Sequence, residues 1–346
     1  MNRVLVVATS RKTRGGITSV IKAHETGEQW KKFHCRWIET TRDGPAWRKV
    51  WYFVTALFEY IIFLPFYDIV HIHLTASTSA KRKKIFFELA KLLHKKTIFH
   101  FHPSSEKLLF EPTNNRLLRN LFSRADLIIV LSEQWRKWLN EALGQIGHIT
   151  VLYNPCPIVN RKPMEKQKEI LFAGTIISRK GYADLIRAFA DIAPCHKDWK
   201  LVIAGNGELD KAQQLVNDKG IANQVYFPGW ITGRAKEDAF NRASIFCLAS
   251  DGEGFPMAVL DAWAYGVPCV VTPVGGLPDI VKDGENALVF PIGDIKKLAF
   301  QLERLIDDEK LREKISETSL ELANTIFNVQ TITRQLDEIY VKLCKK

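Results

Sequence analysis

IFCLASDGEGFPMAVLDAWAYGVPCVVTPVGGLPDI, residues 245–280, reads as strand, glycine turn, helix, strand and second glycine turn. Ile245–Ala249 is short, apolar and partly β-branched, and Ser250–Met257 interrupts it with Gly252, Gly254 and Pro256. A helical stretch follows through Tyr265, and Cys269–Thr272 resumes strand character. A strand that feeds a helix through a tight turn and returns as another strand is the unit of a parallel sheet covered by helices. The same alternation recurs at Val4–Ala8, Ile69–Leu74, Thr97–Phe101, Leu127–Leu131, Ile170–Ala173 and Leu201–Ala204. The chain therefore predicts an α/β protein made of two Rossmann-like, doubly wound domains.

With 346 residues, 46% hydrophobic and 25% charged, the composition is that of a folded protein too long for one minimal core. Tyr153–Met164 carries Pro155, Pro157 and Pro163 and predicts the linker, giving domains over 1–160 and 161–326. A helix over about 327–346 is expected to pack back on the first domain. The six cysteines are scattered without a C-x-x-C pair, which predicts reduced thiols and no zinc site. Met1–Ala8 reads as a strand rather than a secretory leader, so the expected compartment is the cytoplasm.

Charge is divided unevenly. Before Asn160 there are 24 Lys and Arg against 12 Asp and Glu; the remainder has 25 against 26, so +12 and −1 sum to the net +11. A basic first half suits nucleic acid, an anionic membrane surface or phosphorylated substrates. Ala46–Tyr67 within it is dense in Trp, Phe, Tyr, Ile and Leu. Glu59 at its centre argues against a membrane span, which leaves two readings: a packed helix, or one lying in the membrane interface. Its aromatics are not interleaved with basic residues as a base-stacking platform requires, so no nucleic-acid partner is expected.

Three turns suit an anion. Ser250–Met257 leads into a helix whose free N–H groups and dipole favour a diphosphate. Glu253 would repel that diphosphate and is suited instead to accept hydrogen bonds from sugar hydroxyls, and Asp261 from a hydroxyl pair such as a ribose. Val274–Asp279 offers a second helix start and Arg14-Gly15-Gly16-Ile17 a third. Arg179 and Lys180, followed by Gly181, lie after the first strand of the second domain, where Lys180 can neutralise a leaving group. There is no Asp-x-Asp pair to hold a metal-bound diphosphate, so neither metal nor cofactor is expected.

These residues resemble the family 4 retaining glycosyltransferases of GT-B fold, whose domains face each other across a cleft. The likeness runs from Glu253 to Phe290 and is supported by Ala173-Gly174 through Ser178-Arg179-Lys180-Gly181, Ile203–Gly207, Phe227-Pro228-Gly229 and Asp68–His73. It implies transfer from a nucleotide sugar to a saccharide acceptor. It also implies roles: Glu253 at the donor sugar, Gly254, Phe255, Pro256 and Met257 at the helix start by the diphosphate, and Asp261 at the ribose. Gly207 and Trp230 would join the donor site, with Trp230 in the loop against the base. Gly15 and Gly16 would approach the diphosphate from the first domain, and His102, in FHFHPSS, would sit beside the reacting sugar. The implied catalytic set is Glu253, His102 and Lys180.

The sequence departs from the family twice. Asp261 stands for the second glutamate, one methylene shorter, and Thr175 for an arginine, so that either Arg179 replaces it or that contact is missing. The basic, aromatic first half adds the expectation of a lipid-linked saccharide acceptor and a peripheral place on the cytoplasmic face of the membrane. Two rivals remain: a nucleotide-sugar epimerase or phosphorylase on the same fold, and a membrane- or nucleic-acid-binding protein with a vestigial sugar site.

Overall fold

The computed structural model describes residues 2–75, 78–159, 161 and 165–345. Asn160 and 162–164, part of the expected linker, lie outside them. The chain divides into two compact units, Met1–Pro155 with Val329–Lys346, and Cys156–Asn328.

The first unit holds β1 (Val4–Ala8), β2 (Arg36–Glu39), β3 (Ile69–Leu74), β4 (Lys96–Phe101), β5 (Leu127–Val130) and β6 (Ile149–Val151), in the order β2-β1-β3-β4-β5-β6. The second holds β7 (Gln167–Ala173), β8 (Lys200–Ala204), β9 (Val225–Tyr226), β10 (Ala243–Leu248), β11 (Cys269–Val271) and β12 (Leu288–Val289), in the order β12-β11-β10-β7-β8-β9. Every ladder between these strands is parallel. This is the two-domain, Rossmann-like α/β architecture of the GT-B fold. In sheets of this kind ligands lie beyond the carboxyl ends of the strands, where the strand order reverses. Those points are β1/β3 in the first unit and β7/β10 in the second.

Sequence periodicity reveals the interior strands and misses β2, β6, β9 and β12, which are the four sheet edges. β1 and β3 are buried along their whole length, so β1 reads as an unbroken apolar run and β3 as one interrupted only by His71 and His73, whereas β6 is only half-buried. The helix Val329–Cys344 buries Ile332, Leu336, Tyr340 and Leu343 against Val4, Val6 and Ile69 of the first unit. That spacing is one face of a helix.

Two expectations need correcting. The run Lys81-Arg82-Lys83-Lys84 looks like uniformly solvated surface, but Lys83 is buried in the helix Thr78–Leu92 and its ammonium donates to the carbonyl of His73. Burial pushes its pKa down to about 7, with Arg82 adding to the effect. The second glycine turn does not start a helix either. Leu277–Asp279 is a single 3-10 turn, and its glycines have a different use.

Candidate donor-binding site

At the β7/β10 switch point of the second unit two loops meet. The one after β7 ends in the turn Ser178–Lys180 and Gly181. Gly181 has φ +68°, and a Cβ there would stand 1.8 Å from the carbonyl oxygen of Ala249 at the end of β10. Only glycine lets the two loops approach so closely. The amide of Asp251 then donates to the carbonyl of Arg179 at 2.8 Å, and the guanidinium of Arg179 donates to the carbonyl of Gly252.

This approach delivers Lys180 to Glu253. The Lys180 ammonium lies 2.5 Å from Glu253 Oε1, which also accepts from Ser250 Oγ at 2.7 Å; Arg179 stands at 3.9 Å. A carboxylate this buried requires such partners to offset its desolvation. Oε1 takes all of them, and Oε2 meets no hydrogen-bond donor among the described residues. The site thus holds one occupied and one available carboxylate oxygen, with a cation alongside.

The turn at Gly275 buttresses the same loop from the β11 side. Gly275 has φ +62°, a Cβ there would stand 2.1 Å from the carbonyl oxygen of Glu253, and the amide of Gly276 donates to that of Gly254 at 2.8 Å. The loop enters the helix Met257–Ala264 through Pro256 at its N-cap, with Phe255 buried beside Phe327. Asp261 lies on this helix. Its carboxylate is buried and accepts from Lys236 at 2.7 Å; burial pushes its pKa up, against the pull of that ammonium. Lys236, on the helix Gly233–Arg242, escapes sequence reasoning because no motif surrounds it.

Gly207 follows β8 with φ +130°, tight against the carbonyl oxygen of Ile176, and Trp230 follows β9 in the loop before the helix Gly233–Arg242. Both are on the same sheet edge as Lys180 and Glu253, because all six strands run in parallel. Neither makes a direct bond to the Lys180–Glu253 pair.

In the first unit, Gly15, with φ 142°, caps the helix Gly16–Glu25 after β1. His102 follows β4 and belongs to a larger group. His71 and His73 of β3 and His100 of β4 share one sheet face with His102, because alternate strand residues point the same way, and His24 packs over them from the helix Gly16–Glu25. All five are buried. His73 Nδ1 bonds His102 Nε2 at 2.9 Å and His71 Nδ1 bonds the Tyr340 hydroxyl at 2.7 Å. The second ring nitrogens of His71 and His73, both of His100 and Nε2 of His24 have no hydrogen-bond partner among the described residues.

His71, His73 and His100 offer nitrogens within 4.8 Å of one another. Their rings are stacked with interplanar angles of 8° to 31°. Ligand lone pairs lie in the ring plane, so near-parallel stacked rings do not converge on one ion. Burial holds all five neutral, with His24 lowered to about 4 and His102 to about 3. His102, at 7% exposure the most open of them, is thus a neutral, polar group tied to His73.

Two parallel, doubly wound sheets of this topology define an α/β protein of GT-B architecture. The profile described as glycosyltransferase family 4 matches residues 4–158, and that of glycosyl transferases group 1 matches 158–321. The chain belongs to the family 4, group 1 glycosyltransferases of GT-B fold. It is 32% identical over 226 residues to an exopolysaccharide phosphotransferase of Streptomyces coelicolor, covering 64% of this chain and 24% of that one. It is 25% identical over 282 residues to a phosphatidyl-myo-inositol mannosyltransferase of Mycobacterium leprae, covering 79% and 73%. Several curated relatives are matched over only 24% to 64% of their own length. Among solved structures, Anabaena HepE in complex with UDP superposes with a TM-score of 0.80 at 19% identity, covering 98% of this chain and all of that one.

Proposed function

We propose that the protein is a retaining glycosyltransferase. It moves a sugar from a nucleotide-diphosphate sugar to a saccharide acceptor, lipid-linked, in cell-surface polysaccharide synthesis on the cytoplasmic face of the membrane. The observation that carries this reading is the Ser250–Lys180–Glu253 constellation, with one carboxylate oxygen available beside a cation. In this reading Oε2 of Glu253 accepts from a donor-sugar hydroxyl, while Lys180 and the amides around Phe255 take the negative charge of the departing diphosphate. The anomeric C1–oxygen bond loosens first, and the acceptor hydroxyl attacks from the face the diphosphate leaves. Its proton goes to a diphosphate oxygen, giving a glycoside and a nucleoside diphosphate. Neutral His102 assists by placement, and the enzyme works through orientation and charge stabilisation.

Because lysine and backbone dipoles carry the leaving-group charge, activity is expected to survive chelation. Nucleoside diphosphate release should be measured across nucleotide sugars, with membrane extracts as acceptor and with EDTA present, and the product's anomeric configuration read by NMR. The expected result is acceptor-dependent release with retention, undiminished by EDTA. Strict dependence on added magnesium, or release with phosphate as co-substrate in place of a saccharide, would overturn the reading.

A further inference from the structure

The helix Ala46–Phe63 buries only Ala56 and Tyr60. At about 100° per residue, Trp47, Val50, Trp51, Val54, Phe58 and Ile61 fall in one stripe about 100° wide, opposite those two. They are the reverse of a core: Trp47, Trp51 and Phe58 are 67%, 64% and 69% exposed. A continuous apolar stripe of this size on a soluble fold marks an interaction surface.

We infer that this stripe lies flat in the interface of an anionic bilayer. The inference rests on the proposed reading only in taking the acceptor as lipid-linked. Three observations fix the occupant. The first is charge: the first turn of the helix carries Arg48 and Lys49 outside the stripe, and the neighbouring helix Thr78–Leu92, joined to it through Tyr60 Oη donating to the carbonyl of Phe86 at 2.7 Å, exposes Lys81 and Lys84. A second copy of the chain facing this stripe would bring the same cations, in a half of the protein whose net charge is +12. Anionic head groups bring the complement, at an attraction that grows with each basic residue near the surface.

The second is composition, since Trp47, Trp51, Phe58 and Phe66 are the exposed aromatics of this segment and tryptophan favours the head-group level. The third settles flat against spanning. By length and hydropathy Ala46–Phe66 passes as a membrane-crossing helix. Its other side, however, is bonded to the fold: Glu59 accepts from Arg36 of β2 at 2.8 Å, Arg36 lies 3.7 Å over the Phe63 ring, and Tyr60 is buried against Phe86 at 5.0 Å between ring centres. A helix with one apolar and one anchored side lies in the interface plane.

Co-sedimentation tests this without donor or acceptor, so its outcome is independent of turnover. Wild-type protein is expected to pellet with phosphatidylcholine–phosphatidylglycerol vesicles at low salt, but not with phosphatidylcholine alone, and to be released by high salt with carbonate. Trp51→Ser with Phe58→Ser, which removes exposed side chains and leaves melting unchanged, should stay in the supernatant. Lys49→Gln with Lys81→Gln and Lys84→Gln should partition roughly a hundredfold more weakly. Lys83 is left intact because it is buried. Wild-type protein in the supernatant with anionic vesicles at low salt overturns the inference. So does equal pelleting of the Ser variant, retention through the carbonate wash, or a lipid-indifferent dimer that the Ser variant converts to monomer.

Discussion

Glu253→Ala is expected to lower kcat by about 10²–10³-fold, the scale on which removal of one group aimed at the transition state is felt. Glu253 occupies the end of a loop that Gly181 and Gly275 hold in place from two sides, so its position is set by backbone rather than by side-chain chance. Its Oε1 is committed to Ser250 and Lys180, and its Oε2 is the acceptor offered to substrate. Removal has a second consequence: the Lys180 ammonium, at 18% side-chain exposure, loses its anionic partner and is free to move. Glu253→Gln separates the two effects. It keeps the shape and an acceptor oxygen but lowers the charge, so it should retain the melting temperature while losing most of the turnover. Near-normal kcat in the Ala variant would remove Glu253 from the chemistry.

The largest effect on stability is expected from acid. The five imidazoles of the group, His73 and the four around it, are held neutral by burial, and the titratable groups that face them are one another and Lys83, a cation when protonated. No carboxylate contributes to their shifts. The unfolded chain therefore binds protons first. The histidine contribution is fully present above the ordinary imidazole value of 6.5 and is lost as pH falls through the window toward the folded values, about 4 for His24, whereas the cost of burying Lys83 is already complete below its value of about 7. For His24 alone the loss is about 3 kcal/mol, since one pKa unit is about 1.4 kcal/mol. Carboxylates with lowered pKa values act below that window and Asp261, whose pKa burial raises, acts with the opposite sign, so the histidine share of urea unfolding followed from pH 6.5 to 4.5 is read from a histidine variant. His24→Leu should flatten the profile by its own share. A wild-type stability constant across that interval would contradict the account.

The parts of the site that the sequence reveals are those built from backbone rules. Gly252, Gly254 and Pro256 between an apolar strand and a helix announce a strand-to-helix turn whatever surrounds them, and Gly181 after Lys180 does the same. Parallel alternation of short apolar runs gives two doubly wound sheets, and the loops then converge by topology. What stays hidden depends on tertiary context. Lys236 reaches Asp261 from a helix with no motif, and the charged run at Lys81–Lys84 conceals one buried member, because charge patterning cannot tell which side of a helix faces a sheet. The imidazole array has a signal in the alternating His71, His73 and His100, His102. Only the register, which pairs His73 with His100, turns two alternations into one stack. The apolar segment at Ala46 is legible as amphipathic, but which of its faces is covered follows only from what packs behind Tyr60.

The claim on which the rest depends is that the second unit binds a nucleotide-diphosphate sugar through Lys180 and the Glu253 loop. Melting of the protein should be followed across a panel of nucleotide sugars and their nucleoside diphosphates. A binding donor at ~100 times its dissociation constant should add about 2.7 kcal/mol. Lys180→Ala should bind the same nucleoside diphosphate roughly tenfold to a hundredfold more weakly, as expected for one charge-assisted contact. If no nucleotide sugar or nucleoside diphosphate stabilises the protein, or if Lys180→Ala binds the diphosphate as tightly as wild type does, the donor site is not where this account places it.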